Sequence, residues 1–174
     1  MKIYMQIIKK MSLLLFMVFV ISCNNSNDGV NIVKNVPLKE DLINDIITEG
    51  NVDSYNTLLF HYYDDISIIP MAIHMSERYD YGKACSDLFY TMYSAFDGST
   101  LSVDSMTRNY LLYYLRKGIE LKDTTSAWIM SRLYVSGLLI EKDTNMAKQC
   151  LMSVFSSKDV DTLYWPYLKK HPNL

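Results

Sequence analysis

From Pro37 onward the apolar residues return at intervals of three and four, and no run alternates with a period of two. That spacing predicts amphipathic helices and no strands. The stretch "LKEDLINDIITE" forms the first helix, with Pro37 suited to its opening turn and Gly50 placed just past its end. Tyr55, Leu58, Leu59, Tyr62 and Tyr63 then fall at i, i+3, i+4, i+7 and i+8, one complete apolar face, with Asn51 or Asp53 as its N-cap. Pro70 interrupts or opens a helix over residues 71–79. "YDYG" separates it from "KACSDLFYTMYSAF", which "DGST" closes. Ser102 or Asp104 caps a helix over 105–121, and a "KDTTS" turn leads into "AWIMSRLYVSG", which ends at Gly137. Asp143 caps "TNMAKQCLMSVF", and a last short helix near "VDTLYW" stops at Pro166. Seven or eight helices with short links predict an all-α domain over residues 37–174, built of antiparallel helical hairpins stacked in chain order.

One part of this pattern has fixed offsets. In "SAWIMSRLYVSGLLIEKDTNMAKQCLMSVF", residues 126–155, Ser131, Tyr134, Gly137, Asp143 and Ala147 stand at the spacing small, aromatic, glycine, acid, alanine. The stretch resembles a Sel1-type repeat, a relative of the tetratricopeptide repeat. The spacing has a physical reason. A small residue at 131 lets two helices approach, Tyr134 fills the groove between them, and Gly137 takes a left-handed exit. Asp143 caps the return helix, and Ala147 packs that helix against the first. Ser126 stands where the family has alanine, Leu139 replaces the second glycine of the loop, and Val154 and Phe155 replace a pair of alanines. "NYLLYYLRKGIELKD" looks like the second helix of a preceding copy and "GNVDSYNTLLFHYY" like a degenerate first helix of another. The resemblance implies a degenerate α-solenoid that binds another protein.

The amino-terminal residues follow a different pattern. Lys2, Lys9 and Lys10 precede "MSLLLFMVFVI", an apolar run of eleven residues that is short for a bilayer span and fits a signal peptide over 1–22. Val20, Ile21 and Ser22 before Cys23 resemble the lipobox of bacterial lipoproteins. The resemblance implies cleavage before Cys23, acylation of that cysteine and a lipid anchor in the envelope. Residues 23–36, polar and without helical period, read as a tether. Asp28 is the only acidic residue among the six after Cys23, which weakens any acidic surface-export signal and places the protein facing the periplasm.

Without the signal peptide, fourteen basic and nineteen acidic residues leave a net charge of −5, which argues against nucleic acid as a partner. Cys85 and Cys150 lie inside helical patterns and are expected to be buried free thiols. No phosphate loop, dinucleotide fingerprint or zinc-protease helix is present. His61 with Asp64 or Asp65, and His74 with Glu77, have helical spacing but lack further ligands. The expectation is no catalytic residue, no metal and no cofactor. Composition points to surfaces, because fourteen tyrosines and eleven methionines are many for this length. Tyr62, Tyr63, Asp64 and Asp65, then Tyr79, Asp80 and Tyr81, interleave aromatic and acidic side chains and are candidates for a partner-binding face, as is the "YLLYYLRK" stretch at 110–117. Lipoproteins of this size with degenerate Sel1-like helices resemble Bacteroides-type immunity lipoproteins, which implies a secreted antibacterial toxin as partner, and the net charge of −5 would steer a basic one toward it. The alternative is an envelope scaffold or adaptor.

Overall fold

Side-chain oxygens start four of the longer helices. Asn51 Oδ1 accepts from the amides of Asp53 and Ser54, both at 3.0 Å, so Asn51 rather than Asp53 is the cap. Asp104 accepts from Met106 and Thr107 at 2.8 and 3.0 Å, Asp123 from Ser126 at 2.7 Å, and Asp143 from Asn145 and Met146 at 2.9 and 3.0 Å. The computed structural model describes residues 37–62, 67–95 and 103–171; the signal peptide, Cys23 and the tether lie outside them. The helices are α1 (Lys39–Glu49), α2 (Val52–Tyr62), α3 (Ile68–Arg78), α4 (Gly82–Ala95), α5 (Ser105–Glu120), α6 (Thr124–Ser136) and α7 (Thr144–Met152). A carboxy-terminal run follows as α8 (Ser157–Asp159), a π-helical turn (Val160–Tyr164) and α9 (Trp165–Lys170). Among the described residues there is no strand, and the fold is all-α.

Several boundaries differ from the sequence expectation, each for a local reason. Pro37 precedes α1 rather than entering it, because the carbonyl of Leu38 is the first to accept, from Asp41 and Leu42. Pro70 is the third residue of α3, inside the first turn, where its missing N–H has no intrahelical partner to lose. Gly82 opens α4 instead of separating it from α3. Ser126 lies within α6, since Asp123 starts that helix at Thr124. Helix α7 ends at Met152 and a turn through Val154 and Phe155 follows, both amides returning to the Leu151 carbonyl. Pro166 does not stop the last helix. The Trp165 amide reaches back five residues to Val160, and this wider turn delivers the chain to Pro166, which then sits in the first turn of α9.

The links alternate in length, and the alternation sets the architecture. Short links at Gly50–Asn51, 79–81 and 121–123 join α1 to α2, α3 to α4 and α5 to α6. In each, the residue just before the next helix's first acceptor is left-handed: Gly50 at φ 63°, Asp80 at 50° and Lys122 at 66°. The three links touch in series. A Cβ on Gly50 would overlap the Tyr79 ring, and one on Gly82 would lie 3.0 Å from Leu121 Cβ and 3.2 Å from Asp123 Cβ. Lys122 Nζ then donates to the Ser153 carbonyl at 3.2 Å. Neighbouring helices run antiparallel. Lys39 at the start of α1 lies 5.6 Å from the ring of Tyr62 at the end of α2, while Ser54 Oγ donates to Asp45 near the shared link. Ser131 Oγ donates to the buried Ala147 carbonyl at 2.7 Å, and the Asp143 amide to the Tyr134 carbonyl at 3.0 Å, which pairs α6 with α7.

Two layers result. One holds α2, α4 and α6, the first pair joined by Tyr55 donating to Asp87 and the second by direct packing. The other holds α1, α3, α5 and α7, with a Glu77–Lys117 ion pair of 2.8 Å between α3 and α5. The core follows the array in three clusters. Ile46, Tyr55, Leu58, Ile68, Met75 and Leu88 form the first, Phe89, Leu111, Leu115, Ile129, Met130 and Leu133 the second, and Val135, Ala147, Leu151, Val160 and Leu168 the third. Helix α4 contributes to the first two and α6 to the last two, so each cluster is shared with its neighbour, as in repeat arrays. Cys85 and Cys150 are buried and free in different clusters, and burial pushes both thiols up to about 11.

Candidate protein-binding surface

Helix α5 carries two faces of different chemistry. Leu111, Leu112, Leu115 and Gly118 are buried, with Tyr114 beside them. Opposite them Met106, Tyr110 and Tyr113 recur at i, i+4 and i+7 and are exposed. The Tyr110 and Tyr113 rings pack edge-on against Tyr114, with centroids 4.9 and 5.1 Å away, so a buried ring fixes two exposed ones. On its α7 side α5 borders an open cleft of about 280 Å³. Met130 and Tyr134 of α6 form its floor, Ile119 and Arg116 one wall, and Met146, Gln149 and Cys150 the other. That volume falls just below the roughly 300 to 1,000 Å³ of small-molecule sites, and it suits one or two side chains of a protein partner. Methionine, tyrosine and arginine are the residue types that concentrate at protein interfaces. A second cleft, about 430 Å³, is lined by Val103, Arg108 and the loop 137–141.

The five repeat positions lie together around the α6–α7 hairpin. Ser131 and Ala147 are fully buried and joined by the bond given above; Tyr134 is half-buried between the second and third core clusters; Gly137 leaves α6 at φ 76°; and Asp143 caps α7. Leu139, standing where the resembled repeat has its second glycine, keeps a left-handed backbone at φ 60°.

The tyrosine and aspartate candidates do not share one patch. Tyr63, Asp64 and Asp65 lie outside the described residues. Tyr62 is at the far end of α2, half-buried under Lys39. Tyr79 and Tyr81 sit at the opposite end, in the α3–α4 link, where they do packing work. Tyr79 donates to the Ile47 carbonyl at 3.3 Å and Tyr81 meets Tyr55 edge-on at 5.7 Å. Asp80 between them is exposed and left-handed. His74 Nε2 lies 3.2 Å from the same Ile47 carbonyl, its ring against Tyr79, which places it in the helix interface rather than beside Glu77, whose partner is Lys117.

Asp87 is a polar group that sequence reasoning passed over. It accepts from Lys83 at 2.9 and 2.7 Å and from Tyr55 at 3.2 Å, joining α2 to α4. Burial holds its carboxyl above the usual range, against the pull of Lys83. The only sequence signal is the four-residue spacing of Lys83 and Asp87. Among the described residues no group of three or more His, Cys, Asp or Glu side chains gathers as a metal site, and no helix is long and apolar enough to cross a membrane. Comparison with family models, curated proteins and solved structures returned no match.

Proposed function

We propose that this chain is a non-enzymatic, protein-binding lipoprotein of the bacterial envelope, anchored through Cys23 and facing the periplasm, whose partner is a secreted antibacterial toxin. The observation that carries the binding role is the cleft between α5 and α7, apolar at its floor, with Met130 and Tyr134 there, and edged by Arg116, Glu120, Met146 and Gln149. A surface of this kind offers rigid aromatic area with polar tips at its rim. The anchor rests on the lipobox-like sequence before Cys23, and the toxin on the resemblance to Sel1-like immunity lipoproteins together with the net charge of −5, which steers a basic protein toward it. The test is protection. Genes adjacent to this one are expressed singly with periplasmic targeting, and one product is expected to stop growth unless this protein is co-expressed. If no neighbouring product is toxic, or if toxicity persists at equal expression of this protein, the immunity role is wrong and an endogenous envelope partner takes its place.

A further inference from the structure

The cleft between α5 and α7 is built entirely from described residues, and sulfur is prominent in its lining. Met130, Met146 and Cys150 border it together with Tyr134. Sulfur-bearing side chains are soft and polarisable, and a thioether gains more against an aromatic ring than against an aliphatic chain of similar size. The wall formed by α5 adds charge. Arg116 and Glu120 stand four residues apart, about 6 Å at helical rise, and both are exposed. Neither has an ion-pair partner among the described residues, whereas Lys117 beside Arg116 is held by Glu77 at 2.8 Å. Arg116 also acts inside the cleft, where its charge opposes part of the rise that burial imposes on the Cys150 thiol.

We propose that the cleft takes an aromatic side chain of the protein partner, flanked by a carboxylate that meets Arg116 and, about one helical turn away, by a donor or cation that meets Glu120. The proposal rests on the protein-binding reading above and names what that site recognises. Charge complementarity fixes the order of the flanking groups. An acid against Arg116 and a donor against Glu120 each satisfy a charge that the chain leaves unpaired, and the reverse order sets like charges together. The guanidinium fork suits a carboxylate in particular, because two parallel N–H groups reach its two oxygens. Between these groups the floor and the α7 wall select the ring. A ring seated there has Met130 and Tyr134 beneath it and Met146 and Cys150 at its side. An aliphatic side chain fills the same space but forgoes the sulfur contacts and the edge-on contact with Tyr134. Gln149 on the opposite rim offers both a donor and an acceptor, so it accommodates either flank.

The experiment reads the methionine methyl resonances of the mature chain, labelled at those methyls, while a small peptide is titrated into the millimolar range. Met146 and Met152 are equally exposed, at 38%, and only Met146 lines the cleft, so Met152 is the internal control. The probe is acetyl-aspartyl-phenylalanine amide, and two comparators carry leucine in place of phenylalanine or asparagine in place of aspartate. The expected result is a saturable ring-current shift at Met130 and Met146 with Met152 unmoved. Binding is expected to be about threefold or more weaker for the leucine peptide. For the asparagine peptide it is expected to be about two- to fivefold weaker, a difference that Arg116→Gln removes. No shift at either methionine, equal movement of Met152, or equal affinity for the probe and either comparator overturns the proposal. So does movement of Met130 and Met146 with protein concentration alone, which assigns the cleft to a second copy of this chain. The reading of the cleft as the place that holds a protein fails separately, when the toxic product binds a cleft variant as tightly as wild type, whatever the peptides do.

Discussion

Gly50 and Gly137 share a left-handed backbone, but only one of them is also crowded. A side chain at either position meets the ordinary strain of a positive φ, of order 1 to 3 kcal/mol. At Gly50 a Cβ would in addition overlap the Tyr79 ring, whereas at Gly137 the nearest side-chain atom, Lys142 Cβ, is at an ordinary 3.4 Å. Gly50→Ala is therefore expected to lower the urea midpoint more than Gly137→Ala, and Gly137→Val more than Gly137→Ala, since a β-branched residue tolerates that backbone worst. Equal losses for the two alanine variants would show that Tyr79 simply moves aside. Asp87 supplies a test by pH. Burial holds its folded carboxyl above the ordinary 3.8 of an aspartate, so the protonated form favours the folded state. Its stabilising effect is complete below 3.8 and is lost as pH rises through the folded value. Measured by urea unfolding across that window, wild type is expected to lose stability relative to Asp87→Asn as pH increases and to hold a constant difference above it. A difference that moves the opposite way would mean that Lys83 and Tyr55 outweigh the cost of burial.

At the level of elements, the carboxy-terminal run closes the array. Val160 and Leu168 are fully buried against Val135, Ala147 and Leu151, and Trp128 of α6 lies beside the rings of Tyr164 and Tyr167, with centroids 6.1 and 5.9 Å away. Ending the chain after Phe155 removes both buried side chains. At about 1.5 to 3 kcal/mol each, that costs roughly 3 to 6 kcal/mol and opens an apolar face. The truncated protein is expected to unfold at markedly lower urea and to bind a hydrophobic dye, while an unchanged midpoint would mean that α7 already completes the fold. Much of this element order was legible in the chain. Caps and exits depend on one residue and its immediate neighbours, which is why Asp143, Gly50 and Gly137 could be placed from sequence and the caps of α2 and α5 narrowed to Asn51 or Asp53 and to Ser102 or Asp104. What depends on distant residues could not. Gly82 read as a separator because nothing local shows that Leu121 and Asp123 press against it, and Pro166 read as a stop because a π-helical turn ahead of it leaves no compositional trace. Asp80 and Lys122 adopt glycine-like backbones that their side chains do not announce. The tyrosines were divided by the same rule: Tyr113 and Tyr114 are neighbours in sequence, and only the tertiary packing makes one exposed and the other core.

The whole molecule combines a stack of hairpins with a single entry point for the chain at one of its ends. Stacking gives a surface on which α5 and α7 are held a fixed distance apart by α6 beneath them, so the cleft exists without any single loop having to order on binding. Rigid aromatic and methionine side chains at such a place are where a few residues carry most of an interaction. Arg116 and Met146 line the cleft, are exposed and lie outside the buried clusters, so their replacement is expected to leave the unfolding free energy within about 0.5 kcal/mol of wild type. The central claim, that the α5–α7 cleft is where this protein holds its partner, is tested most directly by titrating the purified toxic product of the neighbouring gene onto wild type and onto the Arg116→Ala, Met146→Asp double variant. A loss of about tenfold or more in affinity, with the fold intact by circular dichroism, is the predicted result, since residues of this kind at an interface centre contribute more than about 1.4 kcal/mol together. Equal affinity for the two proteins would contradict it and move the binding site elsewhere on the array.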